Sequence, residues 1–194
     1  MIDPRRNPSI PRNRVRLVGG TWRGRVLGFP DAPGLRPTPD RVRETLFNWL
    51  QPVLPGSHCL DLFAGTGALG FEALSRGAAS VVLVEQSRPV AEQLRNNARL
   101  LGATDARIEA CDALSFLQRP VARPFDIVFL DPPFHQGLVG RAVAVLSRPG
   151  VLSSAALVYV ESGADEAAPE VPPAWSLHRE KQAGQVAYRL FRVG

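Results

Sequence analysis

The sequence predicts an α/β fold: a mostly parallel seven-stranded sheet, covered by helices on both faces and closed by an antiparallel C-terminal hairpin. A small N-terminal β-hairpin and helix extend it. Three observations carry this prediction. From residue 58 onward, apolar runs of strand length alternate with amphipathic helical stretches, the pattern of parallel strands buried on both faces. The first of these runs ends in DLFAGTGALGFEA, with Gly65, Gly67 and Gly70 at the spacing of a ligand-cradling, Rossmann-like turn into a helix. The tail reads WSLHREKQ, then Ala183-Gly184, then QVAYRLFR, two β-type runs joined by a tight turn.

Taken in order, residues 1–14 are rich in Pro, Arg and Asn and are expected to form a flexible basic N-terminus. VRLVGGTWRGRVLGF (15–29) reads as a hairpin around Gly19-Gly20 with a basic face, and DAPGLRPTP as loop. The boundaries expected are 15–37 for this basic unit and 38–194 for the main domain. Thr38 is placed to cap a helix over about 40–51, with Pro39 in its first turn. Val42, Leu46, Trp49 and Leu50 form the apolar stripe of that helix, with Arg41 and Arg43 off it. Then come strand HCLDLF, helix ALGFEALSRG ending at Gly77, strand SVVLVE, and a helix from Ser87 to Leu101 stopped by Gly102. Strand ARIEAC, short helix ALSFLQ, strand FDIVFLD, helix LVGRAVAVLS and strand ALVYVE (156–161) complete the alternation.

The 194 residues suffice for one sizeable core, and the apolar fraction of 45% is that of an ordinary globular protein. The start, MIDPRRNPSIPRNR, lacks an apolar signal core, and no apolar run approaches membrane-spanning length, so a cytoplasmic protein without membrane contact is expected. Cys59 and Cys111 read as reduced core thiols, with no metal site. Charge is unevenly distributed. Residues 1–43 hold ten Arg against Asp3, Asp31 and Asp40, whereas the remainder is slightly acidic. Such a concentration reads as an anion or nucleic-acid contact surface. The chain has a single Lys, Lys181, so part of this Arg richness is general usage.

The glycine turn alone suits either a nicotinamide dinucleotide or S-adenosylmethionine. Asp61 favours the second, and the fourth strand and terminal hairpin settle it: a carboxylate in a buried strand needs a partner, and a pyrophosphate would repel it. The cationic amino group of S-adenosylmethionine would pair with it. Glu85, ending the second strand, suits two ribose hydroxyls, and Asp112 suits an adenine amino group, with Ala113 or Leu114 against the ring. Asp112 is equally placed to cap the helix that follows.

At the end of the fourth strand stands DPPF, Asp131 to Phe134, in the crevice where open α/β sheets bind ligands. An amino group on a nucleobase is a poor nucleophile because its lone pair is delocalised. The Asp131 carboxylate and the Pro132 carbonyl, aimed at its two hydrogens, would favour a localised lone pair. Pro132 and Pro133 stiffen that turn, and Phe134 offers a stacking face. These residues point to an N-methyltransferase.

RLVGGTWRGR, GLRPTPDRVRETLFNWL, CLDLFAGTGALGFEALSRGA, DPPF and WSLHREKQAGQVAYRL together resemble the bacterial small-subunit ribosomal RNA guanine-N2 methyltransferases of the RsmD type, from about residue 14 to 192. The resemblance implies a class I S-adenosylmethionine-dependent methyltransferase acting on one guanine, position 966 of 16S ribosomal RNA, in the small subunit or its assembly intermediate; a monomer is expected, although the sequence does not fix oligomeric state. It implies that Asp61, Gly65 and Gly67 line the methionine part of the cofactor and Glu85 its ribose, with Asp112 near the adenine. Phe63, Ala64, Gln86 and Ala113 complete the expected cofactor site. Asp131, Pro132, Pro133 and Phe134 form the expected target-base pocket. Arg12, Arg14, Arg23, Arg25, Arg36, Arg41 and Arg43 are the expected RNA contacts. Two other readings stand beside it: an adenine-N6 methyltransferase, and a ribosome-assembly protein with a vestigial site. The intact acids speak against the last.

Overall fold

The computed structural model describes residues 13–32, 35 and 37–194. Strands β1 (Asn13–Arg16) and β2 (Val26–Phe29) pair antiparallel, with Asn13 opposite Phe29 and Arg16 opposite Val26. Asn13 and Arg14, expected in the flexible N-terminus, are thus the first residues of a strand. Strand periodicity splits this hairpin: Val15, Leu17, Leu27 and Phe29 are buried, while Arg14, Arg16 and Arg25 face outward. The connection passes through Gly20 at φ 73°, where an added Cβ would lie 1.8 Å from the Ser75 carbonyl oxygen. Only glycine permits that approach. The hairpin is docked on the domain behind it. The Thr21 N–H donates to the Ser75 carbonyl at 2.7 Å, the Ser75 hydroxyl donates to the Gly19 carbonyl at 2.6 Å, and Asn97 donates to the Gly28 carbonyl at 2.9 Å.

Helix α1 (Asp40–Leu50) buries Val42, Leu46 and Leu50 as its spacing predicts, and Phe47 with them. Two expectations fail here. Pro39, not Thr38, occupies the cap position, and no side chain caps the helix; the Thr38 hydroxyl points elsewhere. Arg43, read as lying off the apolar stripe and contacting RNA, is completely buried. Its guanidinium donates to the Thr38 carbonyl (3.1 Å), the Arg16 carbonyl (2.8 Å) and Asp40 (2.5 Å), and pairs with buried Glu72 at 3.5 Å. A cation at helical position 43 can only be buried because those four acceptors surround it.

Then follow β3 (His58–Asp61), α2 (Ala68–Ser75), β4 (Ser80–Val84), α3 (Arg88–Leu101), β5 (Ala106–Glu109), α4 (Ala113–Leu117), β6 (Phe125–Leu130), α5 (Leu138–Leu146), β7 (Leu152–Gly163), β8 (Trp175–Ala183) and β9 (Val186–Val193). The seven-stranded sheet has the order β5-β4-β3-β6-β7-β9-β8, parallel through β7, with β9 antiparallel to both its neighbours. The last strand therefore inserts between β7 and β8, and β8 becomes the edge. One face packs its apolar side chains against the hairpin, α1, α2 and α3; the other packs against α4 and α5. Because β4 and β6 flank β3, the chain leaves β3 and β6 in opposite directions across the sheet, which opens a crevice at their carboxyl ends.

Cys59 is buried with its thiol pushed up to about 12 by desolvation; Cys111 is partly exposed, and both are free. Among the described residues no His, Cys, Asp or Glu cluster has the arrangement of a metal site, and no helix is long and apolar enough to cross a membrane.

Candidate active site

The crevice has a volume of about 1080 Å³ and lies along the carboxyl ends of β3, β4, β6 and β7. Each strand end delivers an acid. Asp61 closes β3 and is almost wholly buried; its Oδ2 accepts the Gly70 N–H at 2.9 Å. Desolvation pushes its carboxyl up to about 7, and the nearby charges of Asp131 and Glu85, both negative, add to the rise. Such a group is short of a cationic partner.

Glu85, one residue past β4, clamps two loops. Its Oε2 accepts the Gly65 N–H at 3.1 Å and its Oε1 the Ser87 N–H at 2.7 Å. Gly65 itself turns at φ 48°. Gly67, expected beside the cofactor, sits at φ 78° before α2 between crevice-lining Thr66 and Ala68, where an added Cβ would lie 2.6 Å from the side chains of Leu94 and Phe71. Phe63, Ala64, Gln86 and Ala113 do line the crevice, as does Asp112, whereas Leu114 does not. The Asp112 carboxylate accepts the Ser115 N–H at 2.8 Å and so caps α4, which holds its carboxyl below the usual carboxylate range. Its capping and its crevice position coexist.

Asp131, Pro132, Pro133 and Phe134 follow β6 and line the crevice opposite the glycine turn. Asp131 is partly exposed to it; burial raises its carboxyl to about 6, opposed by a hydrogen bond from the Thr38 hydroxyl to Oδ2 at 3.4 Å. Beyond the turn, His135 adopts φ 60°, and its N–H is held by Glu166 Oε1 at 3.0 Å. Three contributors were not anticipated as site residues. Thr38 reaches Asp131 from the hairpin side, Glu161 lines the crevice from β7, and Tyr159 donates its hydroxyl to Glu161 Oε1 at 2.7 Å. Glu161 carried a readable signal: an acid ends the apolar run ALVYVE, as Glu85 and Asp131 end theirs. Thr38 carried none, since a Ser or Thr before a helix reads as a cap.

Of the expected RNA contacts, Arg14, Arg23, Arg25 and Arg41 are exposed, on the hairpin and at the start of α1. Arg25 is partly engaged, donating to the Leu100 carbonyl at 3.0 Å. Arg12 and Arg36 lie outside the described residues, and Arg43 belongs to the core.

The sheet order, the terminal antiparallel hairpin and the acid-lined crevice at the β3/β6 switch point define a class I S-adenosylmethionine-dependent methyltransferase. The family described as Conserved hypothetical protein 95 matches residues 15–192. The chain is 55% identical to the ribosomal RNA small subunit methyltransferase D of Escherichia coli strain K12, over 92% of this chain and 90% of that protein. It is 46% identical to the protein of the same name from Haemophilus influenzae, covering 93% and 95%. A solved structure described as a putative methyltransferase from Escherichia coli superposes with a TM-score of 0.88 at 51% identity, over 93% of this chain and 98% of that one. The chain belongs to this family, that of the ribosomal RNA small subunit methyltransferases D.

Proposed function

We propose that this protein transfers the methyl group of S-adenosylmethionine to the exocyclic N2 of a guanine in small-subunit ribosomal RNA. One observation carries the reading above all: the Asp131-Pro132-Pro133-Phe134 turn lines the same crevice as the Asp61 and Glu85 carboxylates. The name shared by the relatives from Escherichia coli and Haemophilus influenzae supports the choice of RNA.

The chain's side chains fit the methyl donor. Asp61, short of a cation, would take its amino group. Glu85 retains lone pairs for the ribose hydroxyls after accepting its two backbone N–H groups. Phe63 and Ala113 offer apolar surface for the adenine, with Asp112 at its rim. When bound, S-adenosylmethionine supplies a methyl group already activated on a sulfonium. The protein's part is then orientation and exclusion of water. The Asp131 carboxylate and the Pro132 carbonyl accept the two amino hydrogens of the target base, which favours a localised nitrogen lone pair. As the new N–C bond forms, the amino group sheds one proton, which Asp131 takes and passes to solvent. Phe134 offers its ring to a base that has left its stack, a displacement costing a few kcal/mol in a duplex and less in a loop.

Incubation with labelled S-adenosylmethionine and small subunits lacking the modification tests this directly. The label should appear at a single guanine and be released as N2-methylguanine on digestion. Label in adenine, or none in the RNA, would overturn the assignment.

A further inference from the structure

Asp131 has a neighbour that orientation of the amino group leaves unused. Leu130 of β6 and Val160 of β7 are partners in a parallel register, and each is followed by an acid, Asp131 directly after β6 and Glu161 within β7. Paired positions in parallel strands point to the same face. The two carboxyls therefore leave the sheet edge side by side, on the face that carries Phe129 and Tyr159. Glu161 is only 3% exposed, yet it lines the crevice. Burial and the Asp131 charge both push its carboxyl well above the usual range. Its placement is built: the Tyr159 hydroxyl, itself buried, holds Oε1 at 2.7 Å. A hydrogen-bond partner for Tyr159 need not be an acid, and a second acid beside Asp131 is costly.

The pair presents two acceptors in a row. Guanine's Watson–Crick edge presents two donors in a row, the N1–H and the N2 amino group. Adenine presents an amino group beside N1, a bare lone pair that a carboxyl oxygen repels. Resting on the guanine-N2 reading above, we infer that Glu161 is a specificity-determining residue: it accepts the N1–H of the target guanine while Asp131 takes the neighbouring amino group. The N1–H donates to the ionised carboxylate and favours that form, which has no proton to offer an adenine N1. The site thus selects guanine by leaving an adenine lone pair facing an oxygen, the kind of mismatch that discriminates more strongly than a missing contact in an apolar pocket.

The test uses the mapped target nucleotide replaced by 2-aminopurine, which keeps the N2 amino group but has a bare N1. Single-turnover rates on guanine and on 2-aminopurine substrates are compared for the wild-type chain, Glu161→Gln and Glu161→Leu. The wild-type chain should prefer guanine by roughly 10² or more. Glu161→Gln, whose amide can donate to a bare N1, should shrink that ratio about tenfold or more, and Glu161→Leu should lose rate on guanine while changing little on 2-aminopurine. The missing O6 of 2-aminopurine affects every variant alike and cancels in the comparison. Thermal stabilisation by S-adenosylmethionine reports that each variant is folded with its cofactor site intact. An unchanged ratio in Glu161→Gln, or an equal loss on both bases, overturns the role of Glu161 while leaving guanine-N2 methylation standing. A wild-type label mapped to adenine overturns both.

Discussion

In the proposed mechanism Asp131 concentrates the chemistry in one side chain. Its carboxyl is raised to about 6 by burial, against an ordinary value of 3.8, and Thr38 steadies one of its oxygens. Asp131→Ala removes an acceptor at the reacting centre without touching Asp61, Glu85 or Asp112. Cofactor binding should survive, and the single-turnover rate should fall by roughly 10² or more. Asp131→Asn keeps an acceptor oxygen and should retain more rate than Ala if orientation is its main contribution. In the wild-type chain the same rate should fall as pH drops through about 6, where Asp131 gains its proton. A flat profile from pH 5 to 8, with an Ala variant close to wild type, would reduce the DPPF segment to a turn.

At the level of elements, the hairpin is bound to the catalytic domain by buried charge. Glu72 of α2, fully buried, accepts the Val18 N–H at 2.9 Å and Arg76 Nε at 2.8 Å and pairs with Arg43. Arg43 in turn spans the Arg16 carbonyl on β1 and the Thr38 carbonyl, whose residue hydrogen-bonds Asp131. One cation therefore ties the basic hairpin, α1, α2 and the approach to the crevice. Arg43→Met leaves Glu72 with Arg76 as its remaining cationic partner. The expected loss is about 3 kcal/mol, the lower end for a broken buried pair. It should appear as a lower urea midpoint with unchanged slope. If Arg43 contacted phosphate instead, the substitution would leave the midpoint alone and lower the salt dependence of RNA binding.

For the whole molecule, stability and ligand binding are linked through the raised acids. Asp61 and Asp131 have folded values of about 7 and about 6 against 3.8 unfolded. Groups raised in this way stabilise the fold fully below the unfolded value, and that contribution is lost as pH rises through the folded one. The protein without ligand should therefore lose stability between about pH 4 and 7. A cationic amino group at Asp61 favours the ionised form, so S-adenosylmethionine should bind more tightly, with less proton release, as pH rises through about 7. Melting temperatures with and without ligand at pH 6 and pH 8 check this: the ligand-induced rise should be larger at pH 8. An equal rise at both values would remove Asp61 from the cation site.

The residue pattern by itself determined the alternation of strands and helices, the terminal hairpin, and the acids at three strand ends. Each is a local signal: buried parallel strands read as apolar runs, helices as stripes, and an acid ending an apolar run is conspicuous in one dimension. Tertiary structure decided what depends on neighbours far along the chain. Arg43 reads as one more surface arginine until Glu72, Arg16 and Thr38 close around it. Thr38 reads as a cap until Asp131, 93 residues later, takes its hydroxyl. Gly67 reads as a ligand glycine, and only the fold shows that Leu94 and Phe71 also leave no room there for a Cβ. Glu161 becomes half of an acid pair only through the β6–β7 register. Burial and hydrogen-bond partnership are properties of the packed chain, and a residue's own type fixes neither.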